Sequence, residues 1–127
     1  MVRVLLVDDD TDLRELVAGW LRVDGHHVVD TGSGALALDS VAPGWPQVAV
    51  VDVLMPDMDG LELLTRLRER DRELPAVAFT VLWSAPDVAR IRAASAVYVP
   101  KPSSSTELCA AVRRLVAGVG SAEPGVP

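Results

Sequence analysis

The stretch "VAVVDVLMPDMDG" (residues 48–60) decides how the chain is read. Val48, Ala49, Val50 and Val51 form an apolar run of strand length, apolar enough to be covered on both faces. The run stops at Asp52. Met55-Pro56 follows, then Asp57, Asp59 and Gly60. A carboxylate leaving the end of a buried strand is placed for chemistry. Asp and Gly beyond a proline are turn and helix-cap residues. The stretch reads as one reactive carboxylate, Asp52, followed by a loop that starts a helix. Asp59 caps that helix, and Gly60 lets the backbone bend.

The same punctuation recurs along the chain. Residues 4–7 read as a first strand and residues 27–30 as a second; 48–51, 76–79 and 97–99 complete the set. Between them lie segments of helical period. Residues 11–23 place Leu13, Leu16, Val17, Trp20 and Leu21 on one face, and Gly25 ends that helix. Further helices are predicted over 35–41, over 60–71, from the Ser84 cap to residue 94, and after Ser104. Ser104 and Glu107 have capping-box spacing. From Gly118 the composition turns to Gly, Pro and Ser, so residues 1–117 are predicted as one domain and 118–127 as a tail or the start of a linker. Five alternations of strand and helix imply an α/β fold: a doubly wound, five-stranded parallel sheet with five helices on both faces.

Bulk composition narrows the function. The chain has 127 residues, half of them hydrophobic, and a net charge of −6. That length and apolar content suit one domain with a buried core. The acidic balance and the absence of a basic stripe argue against direct nucleic-acid binding. Cys109 is the one cysteine, so no internal disulfide forms; it falls in an apolar helical pattern and reads as a buried thiol. No signal peptide opens the sequence and no apolar stretch is long enough to span a membrane, so the expected location is the cytoplasm.

In open α/β sheets, ligands bind beyond the carboxyl ends of the strands, where strand order reverses. The residues leaving the strands are Asp8, Asp9 and Asp10; Asp30; Asp52; Thr80; and, after Pro100, Lys101. Taken singly, each Asp reads as a cap or turn former. The order 2-1-3-4-5, one of the known doubly wound (flavodoxin-like) orders, brings Asp8, Asp9, Asp52, Thr80 and Lys101 to one sheet edge and leaves Asp30 outside. It also makes the fifth strand an edge, where Pro100 is tolerated. Converging carboxylates need positive charge between them. Lys101 supplies one, and oxygen-only ligands select a hard divalent cation, Mg²⁺ or Mn²⁺, as the second. A carboxylate beside such a cation, an ammonium and a hydroxyl is arranged to attack a phosphoryl group.

Carried on "LLVDDD", "VVDVLMPDMDG", "AFT" and "YVPKP", in that order, the chain resembles the receiver domain of two-component response regulators over residues 2 to about 117. The resemblance implies Asp52 as phosphoacceptor, with Thr80 and Lys101 as its phosphoryl-binding partners. It implies Asp8, Asp9, Asp52 and the backbone carbonyl of Leu54 as metal ligands. Thr80 and Tyr98 would be the switch residues, and Lys101-Pro102 a cis peptide. A histidine kinase would be the donor, and the domain would catalyse only its own phosphorylation and dephosphorylation. The surface of helix four, strand five and helix five would meet an output domain or a second copy. Leu54 and Leu82, two residues after Asp52 and Thr80, are apolar where the family controls water's approach, which implies a long-lived phosphoryl group.

Some positions depart from the family. Val81 replaces a small residue, the interval from Thr80 to Tyr98 is about one residue short, Ala93-Ala94-Ser95-Ala96 lacks the usual glycine, and Ser103 replaces an aromatic or aliphatic residue. Two rival readings compete. A phosphohydrolase with a strand-end Asp would carry a second Asp at the position of Leu54, and a large cap domain for which there is no length. A receiver-like binding module that signals without phosphorylation would not need the complete acidic set. Elsewhere, Trp20 reads as core, Trp45 as a loop plug, Trp83 as a loop residue over the helix-four cap or against a partner, and "RLRERDRE" as a solvated face.

Overall fold

The computed structural model describes residues 2–81 and 84–121, with side chains through residue 117. Strands and helices alternate as β1 (Arg3–Val7), α1 (Thr11–Val23), β2 (His27–Thr31), α2 (Gly34–Ser40), β3 (Val48–Val51), α3 (Gly60–Arg70), β4 (Ala76–Thr80), α4 (Ala85–Ala93), β5 (Val97–Pro100) and α5 (Ser105–Ser121). The sheet is parallel throughout, in the order β2-β1-β3-β4-β5. This is the predicted architecture. Helix α5 runs four residues past the predicted end, through Gly118 to Ser121; residues 122–127 lie outside the described residues.

Successive strand residues point to opposite faces, so each strand feeds two cores. Val4 and Leu6 of β1, Val50 of β3, and Val77 and Phe79 of β4 face α1 and α5, meeting Val17, Leu21, Leu108 and Val112. Leu5, Val7, Ala49, Val51 and Ala76 face the other side, meeting Ala37, Leu63, Leu64 and Leu67. Strands buried on both faces explain the continuous apolar runs of the sequence. Each fully buried Val or Leu contributes roughly 1.5–3 kcal/mol relative to exposure, so the sheet is the stable platform beneath the loops.

Caps fix where the helices begin. Asp10 accepts from Leu13 N (3.1 Å), Ser33 from Leu36 N (3.1 Å), Asp59 from Leu61 N (2.7 Å), Ser84 from Asp87 N (3.2 Å) and Ser104 from Glu107 N (3.1 Å). Each satisfies an amide that the helix cannot. Helix α1 ends in a Schellman turn: Gly25, with φ +94°, donates to Arg22 O while His26 donates to Leu21 O. Helix α4 ends in the same turn with Ser95 at φ +53°, where the missing glycine would stand; Ser95 donates to Arg92 O and Ala96 to Ile91 O.

Two packing expectations change. Leu16 is half exposed, because Val17, Ala18 and Leu21 take the inner face of α1. Arg68, within "RLRERDRE", is not solvated. Its Nε and Nη2 donate to Leu74 O (3.0 and 2.9 Å), Nη2 also to Ser95 O (3.1 Å), and Nη1 to Ala94 O. Arg68 thus ties α3 to the end of α4, and Arg90 pairs with Asp59 (3.0 Å) at the other end of that contact.

Candidate functional site

Sheet register assembles the site. Val7 pairs with Val51, so Asp8 and Asp52 leave neighbouring strands side by side. Their main chains continue the ladder: Asp52 N donates to Val7 O (2.9 Å), Asp8 N to Thr31 O (3.2 Å) and Lys101 N to Thr80 O (2.9 Å). Asp8, Asp52 and Lys101 therefore stand on backbone held by the adjacent strand.

Lys101 is the hub. Its Nζ lies 2.7 Å from Asp8 Oδ2 and 3.3 Å from Asp52 Oδ2, and 5.5 Å above the Phe79 ring. The remaining Asp8 oxygen accepts from Asp10 N (3.0 Å), and Asp52 Oδ1 accepts from Leu54 N (3.3 Å). Burial pushes the Asp52 carboxyl above its ordinary pKa. The Lys101 ammonium pulls it back, as does the Thr80 hydroxyl, while the charge of Asp8 adds to the rise. Thr80 is fully buried; its Oγ1 lies near enough to act on Asp52 but makes no well-formed hydrogen bond with any described residue. A buried hydroxyl without a partner costs about 1–3 kcal/mol, so this one is poised for an oxygen that arrives from outside.

Carboxylate oxygens of Asp8, Asp9 and Asp52 lie within 4.8 Å of one another. One ammonium does not balance three such groups, and an all-oxygen set of this size fits a hard divalent cation. A cleft of about 680 Å³ opens beside them, lined by Asp9, Leu13, Trp20, Asp52, Lys101 and Ser103 among others. Leu54 projects half exposed at its rim.

The structure thus brings together Asp8, Asp9, Asp52, Thr80 and Lys101. Lys101-Pro102 is cis. Tyr98, paired with Ala78 of β4, is half buried against Val53, Leu61, Ala78 and Ile91. Leu82 and Trp83 lie outside the described residues. Asp30 stands on edge strand β2, away from the carboxylate cluster, paired with Arg14 and Arg22 (both 3.2 Å).

A model of the response regulator receiver domain matches residues 4–113. The chain belongs to that family. This receiver domain is 39% identical over 116 residues to response regulator MprA of Mycobacterium bovis, covering 91% of this chain and half of that protein. It thus spans about half the length of the curated relatives it matches. Among solved structures it resembles the Vibrio cholerae chemotaxis protein CheY4 (27% identity, TM-score 0.84, 91% of this chain and 98% of that one). It also resembles the BeF3-activated receiver domain of DrrB, a Thermotoga maritima OmpR/PhoB homologue (29%, TM-score 0.84, 92% and 98%). No helix among the described residues is long and apolar enough to cross a membrane.

Sequence reasoning missed two residues around the receiver site. Asp57 has the sequence context of a turn former, yet its carboxylate accepts from Gly34 N (3.4 Å) and Ala35 N (3.2 Å), binding the loop after β3 to the start of α2. Arg14 was passed over on a core-facing helix. Its signal was the unpaired charge of Asp30: α1 carries two arginines, and both reach that carboxylate.

Proposed function

We propose that this receiver domain is a phosphorylation switch whose phosphoacceptor is Asp52. One observation carries the reading: Lys101 holds Asp8 and Asp52 together beside the fully buried Thr80 hydroxyl. The donor is the phosphohistidine of a histidine kinase. An Asp52 carboxylate oxygen attacks phosphorus, the P–N bond breaks, and its electron pair returns to the imidazole. Asp52 ends as an acyl phosphate.

Asp8, Asp9, Asp52 and the backbone carbonyl of Leu54 would hold Mg²⁺, with Mn²⁺ as a substitute. The cation supplies neutralisation of the charge that gathers on the phosphoryl oxygens. Lys101 opposes the burial that raises the Asp52 pKa, and it pairs with a phosphoryl oxygen once one is present. Thr80 donates its hydroxyl to another.

That new hydrogen bond is the differential contact a switch requires. Thr80 moves toward the phosphoryl group, Tyr98 follows, and the surface of α4, β5 and α5 is remodelled for an output domain or a second copy. MprA, with about twice the matched length, leaves room for such an output segment. The similar DrrB receiver domain has a BeF3-activated form, which supports a switch of this kind. The expected setting is the cytoplasm.

The test treats wild type and Asp52→Asn with a small phosphodonor and Mg²⁺ and weighs both by mass spectrometry. One phosphoryl adduct on the wild type and none on the variant is expected. No adduct on the wild type, or equal adducts on both, overturns the reading.

A further inference from the structure

Helix α1 carries a guanidinium that reaches back under the acidic pair. Arg14 Nη1 donates to Asp8 O (2.8 Å), and its Nε donates to Asp30 Oδ2 (3.2 Å). The side chain is 17% exposed, so both contacts are shielded from water. Gly32 makes the space: a Cβ there would lie 2.8 Å from Arg14 Nη1. Asp30 is held from its other oxygen by Arg22 Nη2 (3.2 Å).

The carbonyl that Arg14 holds belongs to the Asp8–Asp9 peptide. A peptide is planar, so fixing its oxygen fixes the plane from which Asp9 departs. Asp8 is anchored by other means as well: its amide bonds β2 and its carboxylate meets Lys101 and Asp10 N. The Asp9 carboxylate is exposed and receives no hydrogen bond from the described residues. Its aim rests on its main chain, which Arg14 holds at the Asp8 carbonyl and the Asp8 carboxylate holds at the Asp10 amide. Asp30 balances the Arg14 charge, so the guanidinium does not compete with a cation for the carboxylates.

We infer that Arg14 is a positioning residue for the divalent-cation site, with Asp30 as the group that orients it. The inference rests on the proposed reading that Asp8, Asp9 and Asp52 bind such a cation. Partners that orient metal ligands typically alter affinity by 10–100-fold when removed. Arg14→Ala should therefore weaken cation binding by about 10-fold or more. Arg14→Lys, which keeps the charge and loses the two-armed bridge, should fall between it and wild type. Asp30→Asn should shift binding in the same direction by less.

The experiment titrates Mn²⁺ into the unphosphorylated full chain and follows free Mn²⁺ by electron paramagnetic resonance. Arg66→Ala, which removes an arginine from the exposed face of α3, serves as control and should bind as wild type does. Phosphorylation by a small donor adds a second readout: the Arg14→Ala rate should approach wild type at saturating Mg²⁺ and lag only at low Mg²⁺. Thermal melting verifies that each variant is folded, and if Arg14→Ala is not, Arg14→Lys and Asp30→Asn decide. Wild type that binds no Mn²⁺ would defeat the cation reading itself. Wild type that binds while the Arg14 and Asp30 variants bind equally well overturns this inference, as does an equal loss in Arg66→Ala.

Discussion

The α-carbon of Gly60 lies against the backbone of Asp52: a Cβ at residue 60 would stand 2.0 Å from Asp52 O and 3.0 Å from the Val53 Cα. Gly60 N also donates to Val53 O (2.9 Å). The first turn of α3 therefore closes directly onto the chain leaving β3. No side chain can be accommodated there without moving the residue that the proposed chemistry depends on.

Gly60→Ala should accordingly damage both stability and site. The clash is with backbone, which cannot rotate away, so the cost should reach the upper part of the 1–3 kcal/mol typical of overpacking, about 2–3 kcal/mol. Urea unfolding measures the first effect and the rate of Asp52 phosphorylation the second. A variant within about 0.5 kcal/mol of wild type, the usual scatter of neutral surface changes, would show that the loop adapts.

Asp57 makes stability sensitive to acid. Its carboxyl is held below the ordinary value of 3.8, first by the Ala35 amide and then by that of Gly34, with local amides helping against slight burial. The sign follows: a group whose folded pKa is depressed stabilises above its unfolded pKa, and that stabilisation is lost as pH falls through the folded one. Asp57→Ala should lose a few tenths to about 1 kcal/mol at pH 7, at the low end because the carboxylate is exposed. The gap between the two proteins should begin to narrow near the ordinary carboxylate value of 3.8 and go on closing as pH falls through the lowered folded value. Parallel urea titrations at pH 7 and pH 3 decide it; a gap of equal size at both pH values would rule out the ionised cap.

How far the site could be read in advance differs by residue. Asp52, Thr80 and Lys101 end apolar runs, and strand order alone sends those ends to one edge, so pattern and topology suffice for them. Asp30 shows the limit of that argument. Topology correctly removed it from the carboxylate cluster, but its bond to Arg14, and through Arg14 to Asp8 O, depends on side-chain reach across an element boundary. Strand periodicity carries no such information. Arg68 failed for a related reason. A run dense in Arg and Glu has the composition of a solvated face, and only the packed position of the α4 end reveals which arginine turns inward.

Ser95 should be replaceable with gain. It holds the left-handed position of the Schellman turn after α4, at φ +53°, a conformation that costs an L-residue roughly 1–2 kcal/mol. Ser95→Gly removes that strain, and the greater freedom of glycine in the unfolded chain returns part of the gain. A net rise of about 0.5–1 kcal/mol in unfolding free energy is expected. Arg68→Ala should do the opposite, by about 1–3 kcal/mol, because it leaves the Leu74 and Ala94 carbonyls without their donor. Urea midpoints of both variants provide the measurement, and a destabilised Ser95→Gly would mean that the serine side chain contributes more than its backbone costs.

Leu54 is predicted to set a rate rather than a stability. It stands two residues beyond Asp52, half exposed at the mouth of the cleft, and its side chain has no group to position water. Hydrolysis of an acyl phosphate on Asp52 needs a water directed at phosphorus, and an apolar side chain over the site leaves that water unheld. The phosphorylated domain should therefore keep its phosphoryl group longer than the Leu54→Asn variant does, the amide supplying a hydrogen-bond partner at the same place. The expected change is a several-fold faster loss, with melting temperature nearly unchanged because residue 54 stands half exposed and outside the packed core. Timed mass spectrometry after removal of the donor follows the decay. Equal lifetimes in the two proteins would mean that access of water is set elsewhere, and the polar character of residue 54 would then have no part in timing the signal.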